Sequence, residues 1–229
     1  MMQRQIVAVI FDLDGLLVDS EPVQYAAWDA FVARYDRVLT DDLKRRMYGT
    51  RLTDSAEMVA RELALPITAR QVAAERDAIF FDMIPGNIRA KPGALELIDT
   101  LRSGSIPIAL ATSGHAEYVE RATASAGIPR QFAVEVTGDQ VERGKPHPET
   151  YLVAARLLGV QPEQALALED SPQGVSAAVA AGMVCFAVPD APAERAVDLS
   201  AAHTIVPSLH GVLQAAADYG LEFSNSSHG

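Results

Sequence analysis

Cysteine occurs once, at Cys185, so an internal disulfide is excluded. It sits in the apolar run Val184-Cys185-Phe186-Ala187-Val188, where a small buried hydrophobe is the expected role rather than a reactive thiol. Positive charge is scarce: 19 Lys and Arg face 30 Asp and Glu, a net charge of −11. The longest basic run, Lys44-Arg45-Arg46, is too short to be the footprint of a nucleic-acid binder. A small anionic substrate is not excluded, because one or two local cations and a metal override the global sign. Apolar runs of membrane-spanning length, about 20 residues, are absent. Met1 to Gln5 is too short and polar to precede a signal-peptide apolar region, which would run straight into acidic residues. The expected setting is therefore the cytoplasm, with neither nucleic acid nor membrane as partner.

What is present is apolar and regularly punctuated. Of 229 residues, 49% are hydrophobic, enough for one large domain or a core with a smaller insert. Ile6 to Phe11 is a continuous β-favouring run, expected to be a strand buried on both faces of a parallel sheet. Similar runs follow at Ile106 to Ala111, Phe132 to Val136, Ala165 to Leu168, Val184 to Val188 and Thr204 to Val206. Ala-rich helical stretches at 93–103, 115–126, 148–158, 172–181 and 208–218 alternate with them. Residues 20–86 differ: they carry helical periodicity and no strand signal, with helices expected near 41–47, 52–64 and 69–82. Ser20 is placed to N-cap the first of these, with Pro22 in its first turn. The expected fold is α/β, a Rossmann-like parallel sheet core from residues 1–18 and 88–229, with an inserted all-helical domain at 19–87. The polar tail Ser224 to Gly229 is expected to fray.

Four polar constellations follow the expected strands. Asp12 and Asp14 come just after the first; if the chain is still extended there, both carboxylates face one small volume and need a cation or a proton between them. A Mg²⁺ ion would neutralise Asp12 and clamp a phosphate oxygen, Asp12 would attack phosphorus, and a protonated Asp14 would serve the leaving oxygen. Asp and Gly are also ordinary turn residues, so Asp12-Leu13-Asp14-Gly15 alone is equally a turn. Thr112-Ser113-Gly114 ends the second core strand and makes a phosphate cradle at a helix start, or merely an N-cap. Lys145, in Gly144-Lys145-Pro146-His147-Pro148, is a charge clamp or a solvated loop lysine. Glu169-Asp170-Ser171-Pro172 completes a metal shell or caps a helix. Each alone is ambiguous; together, at one edge of one sheet, they supply the nucleophile, acid/base, charge clamp and metal ligands of phosphoryl transfer.

With these motifs in order, the chain resembles the haloacid dehalogenase superfamily, and within it the β-phosphoglucomutase-like phosphatases and mutases. The resemblance rests on Asp12-Leu13-Asp14-Gly15-x-Leu-x-Asp-Ser, Thr112, Lys145 before Pro146, and Leu168-Glu169-Asp170-Ser171-x-x-Gly174. It implies that the helical insert is a cap and that Asp12 is the nucleophile and a Mg²⁺ ligand. It implies that Asp14 is the acid/base, with its carbonyl on the metal. It further implies that Thr112, Ser113 and Gly114 hold the phosphoryl group, that Lys145 balances its charge, and that Asp170 binds the metal with Glu169 as ligand or outer acceptor. The mutases carry a histidine near the cap's start; here that position is Gln24, and Leu52, with Arg51 before it, stands where their phosphate-binding arginine is expected. The expected function is thus a Mg²⁺-dependent phosphatase acting on a small phosphorylated metabolite such as a sugar phosphate, as a monoester hydrolase working through an aspartyl-phosphate. A β-phosphoglucomutase-type phosphotransferase is the alternative. A metal-independent dehalogenase and a receiver-like phosphoacceptor rank lower, and a binding protein that has lost catalysis is weakened because no catalytic part is missing. Gln24, Tyr25, Tyr48, Arg51, Arg89 and Lys91 are candidate substrate contacts; His115 is either one of these or a helix-start surface residue. A monomer or weak dimer is expected.

Overall fold

A computed structural model describes residues 5–128, 131–190 and 197–221; Ser224 to Gly229 lies outside them. Its main sheet has six parallel strands in the order β5-β4-β1-β6-β7-β8. These are β1 (Ala8–Phe11), β4 (Ile108–Ala111), β5 (Val134–Val136), β6 (Ala165–Glu169), β7 (Val184–Ala187) and β8 (Thr204–Ile205). The strand order reverses at β1, between β4 and β6, which opens a crevice at the carboxyl ends of the central strands.

The two faces of the sheet differ in bulk, and the sequence shows why. Alternate residues point to opposite sides of a strand. Val9, Phe11, Ile108, Leu110, Leu166, Leu168, Val184 and Phe186 enter one apolar cluster. Their neighbours Ala109, Ala111, Ala165, Ala167, Cys185 and Ala187 enter the other. On the small-residue face, α7 (Glu149–Leu158) and α8 (Pro172–Ala180) approach through Ala154, Ala155, Ala177 and Ala178. On the bulky face lie α5 (Ala94–Ser103), α6 (Ala116–Ala126) and α9 (Val212–Ala217). Cys185 is fully buried among these alanines, the hydrophobe its surroundings predict. Each large aliphatic or aromatic side chain buried here contributes on the order of 1.5–3 kcal/mol.

Between β2 (Val18–Asp19) and β3 (Arg89–Ala90), a two-residue antiparallel pair, the chain makes four helices. They are α1 (Glu21–Ala33), α2 (Asp41–Met47), α3 (Leu52–Glu62) and α4 (Ala69–Met83). Thr40 caps α2 and Thr68 caps α4, the latter in a reciprocal capping box with Gln71. Ser20 holds the N-cap position of α1 but makes no capping bond; its hydroxyl is spent elsewhere. Among the described residues no helix is long and apolar enough to cross a membrane.

Candidate active site

The chain leaves β1 still extended. Asp12 N–H donates to the Leu168 carbonyl at 3.0 Å, prolonging the β1–β6 ladder by one residue, so the Asp12 side chain is fixed at the sheet's rim. Lys145 comes from the loop between β5 and α7, across a cis bond to Pro146. It is buried, with Nζ 2.5 Å from both Asp12 Oδ1 and Glu169 Oε1. Tyr151 of α7 closes the back of this group, its hydroxyl donating to Glu169 Oε1 at 2.6 Å.

Glu169 and Asp170 do different work. Glu169 Oε1 accepts from Lys145 and Tyr151, while Oε2 accepts from Asp170 N, Ser171 N and Ser171 Oγ at 3.1, 3.4 and 3.2 Å. Five donors leave that carboxylate few lone pairs. Gly174 permits the contact, because a Cβ there would stand 1.8 Å from Glu169 Oε1. Asp170 accepts from the Tyr48 hydroxyl, which reaches over from the end of α2. Gly15, at φ +75°, passes so close to Asp170 that a Cβ would lie 2.1 Å from Oδ2.

Carboxylate oxygens of Asp12, Glu169 and Asp170 all lie within 4.8 Å of one another, and all three residues are buried. Burial lifts Asp12 to about 8 despite Lys145, with Glu169 and Asp14 adding to the rise. Burial, then Asp12 and Glu169, hold Asp170 well above the usual carboxylate range. Burial works against the Lys145 ammonium, but Asp12 and Glu169 overcome it and hold its pKa above the ordinary lysine value. Three buried acids and one lysine are therefore short of positive charge, and an all-oxygen set with backbone lying against it suits a hard divalent cation.

Asp14 stands beside this group. Its Oδ1 accepts from Ser20 Oγ at 2.5 Å and from the Tyr118 hydroxyl. Burial raises its pKa, opposed by Ser20, Tyr118, Lys145 and, least, Gln24. Asp12, Asp14, Ser113, Gly114, Lys145 and Asp170 line one cavity of about 130 Å³, and Gln24, His115 and Tyr48 lie along the same cavity. Thr112 is buried behind it; its N–H donates to Val136 and its hydroxyl accepts from Gly114 N. Ser113 Oγ donates to the Gly49 carbonyl, bringing the loop after α2 onto the Thr112-Ser113-Gly114 turn.

The outer candidates fare differently. Arg51 does not line the cavity: it pairs with Asp54 at 2.9 Å and donates to the Glu142 carbonyl. Gln24 reaches the cavity but its Oε1 is held by Arg76. His115 caps α6, accepting from Tyr118 N at Nδ1, while Nε2 meets Asp77 of α4 at 2.7 Å. Lys91 pairs with Asp190. Residues that sequence reasoning passed over are Tyr118, Tyr151 and Arg76. Arg76 is buried between Trp28 and Phe80, with Nε unpartnered, and burial lowers its pKa to about 10.

The sequence matches the profile of the haloacid dehalogenase-like hydrolases over residues 6–182. It is 34% identical over 180 residues to a phosphorylated carbohydrates phosphatase of Thermotoga maritima, covering 77% of this chain and 82% of that one. Hexitol phosphatase A of Escherichia coli is 36% identical over 186 residues, with 81% and 83% covered. A β-phosphoglucomutase structure from Clostridium difficile shares the fold with a TM-score of 0.82 at 23% identity, covering 94% of this chain and 97% of that one.

Proposed function

The chain belongs to the haloacid dehalogenase-like hydrolase family and is a hydrolase of phosphoric monoesters, and from that premise we propose that it is a Mg²⁺-dependent phosphatase of small sugar phosphates, working through phosphorylated Asp12. The observation that carries this reading is the Asp12 carboxylate, held by Lys145 at the cavity floor with Asp170 and Asp14 beside it. The names of the phosphatase relatives support phosphorylated carbohydrates as the substrate class.

The ion would be held by Asp12, Asp170 and the Asp14 carbonyl, where Gly15 leaves room for close approach. Glu169, already saturated by its five donors, fixes Lys145 from outside that shell. When bound, Mg²⁺ neutralises the acids and polarises a phosphoryl oxygen. The residues do the rest. Ser113 and Gly114 cradle the phosphoryl group at the start of α6, and Lys145 offsets its charge. Asp12 attacks phosphorus, the bond to the ester oxygen breaks, and Asp14 protonates the departing alcohol. Asp14 then takes a proton from water as its oxygen attacks phosphorus, releasing inorganic phosphate and free Asp12. Residues 19–87 act as a cap domain: Tyr48 and the Gly49 carbonyl touch Asp170 and Ser113, so the site is assembled when the helices lie down.

Asp12→Asn should lose turnover by at least about 10³-fold, as expected for loss of a covalent nucleophile, with its circular dichroism unchanged. Retained phosphate release in that variant removes Asp12 from the role. Release of phosphate from hexose and hexitol phosphates, against conversion between sugar phosphate isomers, distinguishes hydrolysis from phosphoryl return to substrate.

A further inference from the structure

Asp14 must exchange protons twice in one turnover, and the structure holds it by an unexpected route. Both hydroxyls that bond it land on Oδ1. Proton exchange with substrate and water therefore falls to Oδ2. Of the two donors, Ser20 stands at the start of the inserted segment, just before α1, whereas Tyr118 is in the first turn of α6, which packs on the sheet. From within the inserted helices Gln24 acts on Asp14 more weakly than either hydroxyl, and Arg76 of α4 acts on it through charge.

Tyr118 is built into place from the sheet side. His115 accepts its N–H, so the helix start that follows the phosphate cradle also sets the tyrosine. Gly114 makes room for the ring: a Cβ there would lie 2.5 Å from Tyr118 Cδ1. The side chain is 3% exposed, and Phe80 of the inserted helix α4 covers its outer side, with ring centroids 5.4 Å apart.

We propose that Tyr118 is a positioning residue that fixes Asp14 from the sheet, so that hydrolysis of phosphorylated Asp12 does not wait for the helical domain to close on a second ligand. The proposal rests on the phosphatase reading above and deepens it. A base already in place when the first alcohol departs commits the phosphoenzyme to water rather than to another hydroxyl.

Acetyl phosphate separates the two half-reactions. Asp12 attacks its phosphorus and the bond to acetate breaks; acetate leaves with the electron pair and, as a far weaker base than an alkoxide, depends little on an acid, while Asp14 gives its proton to solvent before the second step. Hydrolysis of the resulting acyl phosphate does need Asp14: water attacks phosphorus, its proton passes to Asp14 Oδ2, and the bond to Asp12 breaks. Tyr118→Phe removes one oxygen and keeps the ring. With Mg²⁺ and acetyl phosphate, rapid acid quench should show phosphoenzyme forming within about twofold of the wild-type rate. It should then disappear at least about tenfold more slowly, so that it accumulates, within the range that loss of general-base assistance allows. Ser20→Ala, which takes the other donor from the same oxygen, should slow the same step. Wild-type hydrolysis in Tyr118→Phe, or equal slowing of both steps without accumulation, overturns the proposal while the phosphatase reading stands. Absence of trapped phosphoenzyme in the wild-type protein overturns both.

Discussion

At the scale of single residues, the site is organised around buried charge. Lys145 is 5% exposed and bridges two carboxylates that would otherwise face each other in a low-dielectric pocket. Removing one partner of such a group leaves the others uncompensated, which costs roughly 3–5 kcal/mol. Lys145→Met keeps the length of the stem and deletes only the charge. It should lower unfolding free energy by about that amount in urea titrations without Mg²⁺, and reduce kcat by about 10²–10³-fold. A loss below about 1 kcal/mol shows that the acids relax without it. The gathering of Asp12, Asp14, Lys145 and Asp170 at one rim of the sheet was legible because each comes after a strand marked by its apolar run. Arg76 was legible too, but unread: it shares the face of Val72, Ile79 and Phe80 at helical spacing, so a charged residue sat on an apolar stripe. Tyr151 likewise shares a face with Ala154 and Ala155. What no spacing reveals is that Ser20 abandons its capping bond for Asp14, since that choice depends on two elements meeting in space.

At the scale of elements, all six core strands fall within the runs that mark them or overrun by one residue, and the helices between them differ by only a few residues at their ends. The pair β2–β3, two residues on each side where the insert leaves and rejoins the core, carries no periodicity that marks it as strand. The last helix departs most: 208–218 begins as a 3₁₀ turn at Leu209–Gly211 and becomes α-helical only at Val212. Contacts between elements were harder to foresee than the elements. His115 joins α6 to α4 through Asp77, whose hydrogen bond raises the His115 pKa above 6.5 against partial burial. A histidine whose folded pKa is raised contributes its charge-dependent stability in full below the unfolded value, and loses it as pH climbs through the folded one. The stability difference between wild type and His115→Ala should therefore be larger at pH 6 than at pH 9. Part should persist at pH 9, because the neutral ring still accepts from Tyr118 N. Chemical denaturation at the two pH values checks this; a difference that grows with pH refutes the pairing.

At the scale of the whole molecule, function and stability oppose each other at the sheet's rim. Asp12, Glu169 and Asp170 are buried together with Lys145 as their near cation, an arrangement that disfavours the folded state until more positive charge arrives. Asp12→Asn removes one of those charges while keeping the shape. Without divalent ions the variant should therefore melt a few degrees above wild type, a stabilisation bought with the loss of turnover. Mg²⁺ should reverse that order. An ion that binds only the folded chain stabilises it by about 2.7 kcal/mol at 100 times its dissociation constant. For a chain of this size each kcal/mol moves the midpoint by roughly 2–4 °C. The wild-type protein, offering both Asp12 and Asp170, should gain most of that; Asp12→Asn, with one of the two carboxylates neutral, should gain much less. Thermal melts of both proteins across a Mg²⁺ titration should cross. Parallel curves separated by a constant offset place the ion elsewhere, and wild type melting higher even in EDTA means that Lys145 alone balances the acids.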